Sequence, residues 1–182
     1  MAELAGDESS LRNRGIEGTR RKFTSTVALV TSRLGDASNV MSAEWSLRVS
    51  IDPYLVAVFV GYERGSCSMI RESGEFGLNY CSEGQVMLAH IAGNRSISSG
   101  DDKWRMADFS TFQPSVIRAP MIEGCIMNLE CRVVDEFRTG DHAAFIGSVV
   151  EGYHDPSRRP LVYHGGEYYA LGERLARPPR ER

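Results

Sequence analysis

Across residues 125–133, Cys125, Met127, Leu129, Cys131 and Val133 alternate with Ile126, Asn128, Glu130 and Arg132. Successive side chains of a strand point to opposite faces, so this period of two predicts a half-exposed β-strand. The run resumes beyond Thr139-Gly140-Asp141-His142 in residues 143–150 (AAFIGSVV). The two segments therefore read as a long antiparallel pair joined through a Gly-Asp turn.

Other segments extend the β pattern. Residues 26–32 (TVALVTS) and 55–60 (LVAVFV) are short and rich in β-branched side chains, which predicts strands buried on both faces, in a barrel wall. Residues 160–163 (PLVY) and 168–171 (YYAL) predict two more, with His164, Gly165 and Gly166 as the turn. Helical signals are fewer. Residues 66–73 open on a hydroxyl residue suited to capping and stop at Gly74, which tolerates the left-handed geometry of a helix end. Residues 84–92 and 101–107 are further candidates, the last opening with Asp-Asp at its dipole-positive end. No β–α alternation supports a doubly wound sheet, and the pattern fits a closed, mainly β, antiparallel barrel with a few short helices.

At 182 residues the chain suits one domain. Residues 1–20 mix charges with Gly and Ser and read as an arm, 21–172 as the folded domain, and 173–182 as a solvated basic tail. A formal charge of −3 gives no global attraction to nucleic acid or to an anionic membrane. No apolar run resembles a signal-peptide core or a membrane span, so a cytoplasmic location is expected. Cys67, Cys81, Cys125 and Cys131 lack CxxC spacing and sit among apolar neighbours, which favours neither a disulfide framework nor a zinc site.

Two stretches carry candidate chemistry. Residues 35–53 (GDASNVMSAEWSLRVSIDP) begin as a turn and continue as a strand with small polar residues where a barrel wall usually takes Val or Ile. Such positions leave room and hydrogen-bond partners for a flat ligand; an exposed edge strand is the competing interpretation. Residues 62–70 (YERGSCSMI) set Arg64, Gly65, Ser66 and Ser68 at the mouth of the first predicted helix. Orphan amides, the helix dipole and a guanidinium there suit a phosphate, although a plain N-cap with a solvated arginine is the commoner meaning of so short a pattern.

With GEFGLN (74–79), SGDDK (99–103) and GDHAAFIG (140–147), these stretches form an ordered set. In that order the chain resembles the flavin reductase-like FMN-binding proteins, over residues 27–171. The resemblance implies an FMN-binding split β-barrel of antiparallel, Greek-key type. It implies that Asn39, Val40, Met41, Ser42, Ala43, Glu44, Trp45 and Ser46 lie along the isoalloxazine, with Ser50 a weaker candidate. It implies a phosphate loop of Arg64, Gly65, Ser66, Cys67 and Ser68, and a role for Lys103 toward the cofactor or a partner subunit. His142 matches a histidine near the flavin or nicotinamide, expected to orient the donor or steady charge on reduced flavin; a hydrogen-bonded turn residue is its bland alternative. His90, His154 and His164 share no spacing and read as structural.

No GxGxxG follows a strand and opens a helix, so the nicotinamide, NADH or NADPH, is expected to dock against the flavin and pass hydride from C4 to N5. No Ser-His-Asp order or metal-ligand cluster demands another reaction. The expected function is NAD(P)H-dependent flavin reduction, serving a monooxygenase component or ferric iron. A non-enzymatic FMN-binding or electron-carrier protein, and a plain interaction barrel, are the alternatives. A split barrel covers one face of its flavin poorly, so a homodimer with FMN at the subunit interface is expected.

Overall fold

The computed structural model describes residues 16–19, 22–95, 100 and 102–178. Most of the expected arm, and Ser99 and Asp101 of the SGDDK segment, lie outside these residues; Ile16–Thr19 form one helical turn, α1. The strands are β1 (Thr24–Thr26), β2 (Ala28–Leu34), β3 (Ala37–Ala43), β4 (Ser46–Ser50), β5 (Leu55–Gly61), β6 (Glu75–Tyr80), β7 (Thr111–Phe112), β8 (Met121–Ile122), β9 (Met127–Thr139), β10 (His142–His154), β11 (Leu161–His164) and β12 (Glu167–Ala170). The helices are α2 (Gly65–Ser73), α3 (Val86–Asn94) and α4 (Lys103–Met106).

Seven strands form one antiparallel sheet in the order β3-β2-β6-β9-β10-β5-β4. Its two edges, β3 and β4, are consecutive in the chain and separated only by Glu44 and Trp45. Seven flat strands would hold their edges about 29 Å apart, whereas three Cα steps reach about 11 Å at most. The sheet must therefore roll up. Residues 37–50 act as one bent strand that pairs first with β2 (Val30 opposite Met41) and then with β5 (Ser46 opposite Val58).

The long hairpin is the one its alternation predicts. His142 faces Thr139 across a two-residue turn in which Gly140 takes φ +65°. The β11–β12 hairpin turns through Gly165 and Gly166, both at positive φ, as a primed turn requires. It stands outside the barrel, in a three-stranded sheet with β1. The strand expected over 26–32 is broken at Val27, whose amide donates to the Leu161 carbonyl while its own carbonyl accepts from the Cys81 amide. At that residue the chain passes from the small sheet to the large one.

Alternation along the strands makes two cores. The barrel interior takes Val30, Val56, Val58, Val60, Phe76, Leu78, Leu129, Cys131 and Phe145, with Cys67 and Ile70 of α2 closing over them. Leu29, Val40, Cys81, Ala89, Ala92, Ile122, Cys125 and Leu161 form a second cluster on the outside of the wall. Gly147 on β10 makes room for the Phe76 ring, which reaches across β9 from β6: a Cβ there would stand 2.6 Å from Phe76 Cζ. Polar ties join the layers. Asn79 donates to the Leu29 carbonyl and Thr31 Oγ1 and accepts from the Ile122 amide and the Asn128 side chain, using its full hydrogen-bonding capacity. Glu130, fully buried, accepts from the Ser115, Val116 and Ile117 amides and from the Tyr153 hydroxyl.

No helix among the described residues is long and apolar enough to cross a membrane. None of their His, Cys, Asp and Glu side chains cluster in threes as metal ligands.

Candidate functional site

Where the bent strand leaves β2 for β5, its backbone and side chains border a cavity of about 210 Å³. Asn39, Met41, Ser42, Ala43, Glu44 and Trp45 line one wall. Arg64, Gly65, Ser66, Lys103 and His142 also line it, with Arg64 and His142 both beside Gly61 at the end of β5. These eleven come from the two stretches and the two isolated positions singled out in the sequence.

At the α2 end, the helix starts at Gly65 with Arg64 as its N-cap, and no side chain caps it. Ser66 does not serve as the capping hydroxyl its position suggested. Its Oγ lies inside the first turn and accepts a hydrogen bond from Asn39 Nδ2 at 2.8 Å, which locks β3 to the helix. The uncapped first-turn amides and the dipole of α2 favour an anion here, beside the Arg64 guanidinium, which is paired with Glu63 at 3.3 Å. Lys103, almost wholly buried, donates from Nζ to the Val40 carbonyl at 2.5 Å. That carbonyl belongs to the sheet edge, so the ammonium both satisfies the edge and carries its charge into the wall of the cavity.

The Trp45 and His142 rings lie 4.7 Å apart, and His142 Nδ1 sits 2.6 Å from Asp141 Oδ1. The contact with His142 holds the Asp141 carboxyl below its ordinary range. Glu44 is half-buried, and desolvation raises its pKa against a lowering hydrogen bond from Trp45.

Five of the expected residues lie elsewhere than the cavity lining. The Val40 side chain packs in the outer core. Ser46 is buried on β4, and Ser50 stands at the far end of that strand opposite Leu55. Cys67 is turned into the barrel core, where burial raises its thiol pKa and Arg71 Nη2 lies 3.5 Å from Sγ. Ser68 Oγ donates back to the Gly65 carbonyl on an exposed face of α2. Strand and helix periodicity turns Val40 and Cys67 into the two packed cores, whereas residues 41–45, running into the bend, line the cavity consecutively.

Five lining residues had not been anticipated. Phe59 and Gly61 come from β5, Ala92 and Gly93 from the last turns of α3, and Arg95 from just beyond it. Phe59 was detectable in principle, being out of phase with the inward-facing Val56, Val58 and Val60. Nothing local to Ala92, Gly93 and Arg95 announces that α3 lies against β3.

The arrangement can hold an elongated ligand with an anionic end at Arg64, Arg95 and Lys103 and a flat ring among Met41, Trp45, Phe59 and His142. The model for the flavin reductase like domain matches residues 19–172. The chain belongs to that family. An uncharacterized protein of Archaeoglobus fulgidus is 34% identical over 116 residues, 64% of this chain and 65% of that relative's length. The NADH-dependent flavin reductase of a Rhodococcus species is 28% identical, with 94% of each chain covered. Among solved structures, the flavin reductase component of a bacterial two-component tryptophan halogenase superposes with a TM-score of 0.77 at 27% identity, covering 92% of this chain and all of the other. The flavin reductase family thus accounts for the rolled sheet, and the cavity lies where the sheet closes.

Proposed function

We propose that this protein is an NADH-dependent flavin reductase that holds FMN in the cleft at the β3–β4 bend. The observation that carries the reading is that one cavity is lined both by Arg64 and Lys103, with the open mouth of α2, and by the rings of Trp45, Phe59 and His142. The donor set fits FMN: a phosphate would meet Arg64, the first amides of α2 and the Ser66 hydroxyl, and the ring would lie along residues 41–45. The names of the Rhodococcus relative and the halogenase component support the activity and the choice of donor.

The flavin, when bound, supplies the hydride-accepting centre. The protein's part is to position and to stabilise charge. Lys103 provides fixed positive charge beside the strand that borders the ring. His142, steadied by Asp141, and Trp45 form the wall against which a nicotinamide would be oriented. No side chain here needs to act as a nucleophile.

The reading includes a homodimer. On the outward face of the barrel, Trp45, Leu47 and Val49 are about half exposed and Ile51 more so. This apolar row continues directly from the cavity's own Trp45. A second copy seated there would cover the face and close the cleft, completing the burial of a large ring. By analogy with the halogenase component, reduced flavin would pass to a monooxygenase-type partner.

Anaerobic mixing of the flavin-loaded protein with NADH should bleach the visible flavin absorbance within a catalytic timescale. Flavin that binds but stays oxidised would turn the reading into that of a carrier, and a colourless protein that takes up no flavin would remove it.

A further inference from the structure

Among the described residues that line the cavity, Glu44 is the one carboxylate; the other ionisable side chains there are Arg64, Arg95, Lys103 and His142. It stands at the apex of the bend, between the end of β3 and the start of β4. The cations do not neutralise it. Arg64 is paired with Glu63 at 3.3 Å, and Lys103 Nζ donates to the Val40 carbonyl. Burial raises the Glu44 pKa against a lowering hydrogen bond from Trp45, and no cation contributes. A second cavity, of about 220 Å³, lies beyond the bend and shares Ser42, Glu44 and Gly93 as wall. Glu44 thus meets open space on both sides, and its charge can be changed without disturbing a packed core.

Under the flavin reductase reading, the charges around this cavity meet a ligand whose own charge changes. Hydride transfer breaks the C4–H bond of the nicotinamide and forms N5–H on the flavin. The electron pair moves with the proton, so the donor ring becomes cationic and the neutral flavin ring becomes anionic. The phosphate keeps its charge throughout. Arg64 and the mouth of α2 therefore hold both redox states alike, and only charges beside the ring tell them apart. Lys103, beside the strand along the ring, favours the anionic state. Glu44 opposes it, because a carboxylate without a counter-ion in a partly desolvated wall repels a second negative charge more strongly than it would in water.

We infer that Glu44 discriminates between the two redox states of the flavin: its carboxylate weakens the hold on reduced relative to oxidised flavin, and so promotes release once hydride has been transferred. The inference rests on the flavin reductase reading and deepens it, by naming the side chain that couples reduction to release.

The test reads redox-dependent affinity and not turnover. Midpoint potentials of FMN, titrated anaerobically with and without saturating protein, give the ratio of the dissociation constants of reduced and oxidised FMN. A tenfold change in that ratio moves the potential by about 30 mV for a two-electron couple. Glu44→Gln keeps the shape and removes the charge. It should lower the ratio about tenfold and raise the bound potential by about 30 mV, the scale of one unit charge acting across roughly 10 Å at an effective dielectric of about 20. Glu44→Asp keeps the charge and should stay near the wild type. A ratio that is unchanged or higher in Glu44→Gln overturns the inference, as does a Glu44→Asp protein that behaves like Glu44→Gln. If Glu44→Gln fails to fold, Glu44→Ser carries the same expectation. A ratio indifferent to Glu44, in a protein that binds FMN and is bleached by NADH, sinks this inference alone; absence of flavin binding or bleaching sinks the underlying reading.

Discussion

Lys103 borders the cavity while its buried ammonium donates to the Val40 carbonyl. A buried ammonium is costly to desolvate, and its charge acts on whatever enters beside it. Lys103→Met should weaken FMN binding by about tenfold or more, the scale of one charge-assisted hydrogen bond of about 1.5–3 kcal/mol, as read by fluorescence titration. His142→Ala should lower turnover more than flavin affinity; steady-state kinetics unchanged from wild type would remove His142 from the mechanism. Glu130 has a structural part. Burial would raise its pKa, but the three amides and the Tyr153 hydroxyl outweigh this and hold it below the ordinary 4.5. Its stabilising contribution is therefore complete above about pH 4.5, the unfolded value, and is lost as pH falls through the lower folded one. Glu130→Gln should cost about 2–4 kcal/mol at neutral pH by urea denaturation and should flatten the acid limb of the stability curve. At this scale the sequence exposed the cavity's chemistry but not its facing. Arg64 and Ser66 were found together with Cys67 and Ser68, because a loop motif names consecutive residues while a helix presents only some of them.

At the scale of elements, the long hairpin, the β11–β12 hairpin and the helices at 65–73 and 86–94 follow from alternation, turn glycines and cap signals. The break at Val27 was not legible, since its cause is a change of hydrogen-bonding partners contributed by Leu161 and Cys81, far away in the chain. The approach of α3 to β3 was hidden for the same reason, and with it Arg95. The seat of the Phe76 ring over β9 depends on Gly147. Gly147→Ala places a methyl group against the Phe76 ring within a fully packed core, which should cost about 1–3 kcal/mol by thermal or denaturant unfolding with the flavin site otherwise intact. A smaller loss would mean that the Phe76 ring can move aside.

For the whole molecule, closure of the barrel follows from one fact of chain length: the two sheet edges are joined by two residues. The same bend that closes the barrel leaves a gap in the wall, and the cavity and the exposed apolar row of β4 both begin at Trp45. The closure of the barrel, the proposed cofactor site and the proposed subunit contact thus share one element. Leu47→Asp on that row should convert a dimer into a monomer in sedimentation and raise the FMN dissociation constant with it; a monomeric wild type that retains FMN would contradict the shared interface. The most direct measurement for the central claim is a crystal structure of the protein soaked or grown with FMN. The account predicts the isoalloxazine along residues 41–45 and the phosphate at Arg64, Gly65 and Ser66. A flavin bound away from the β3–β4 bend, with that cleft filled by its own side chains, would contradict it.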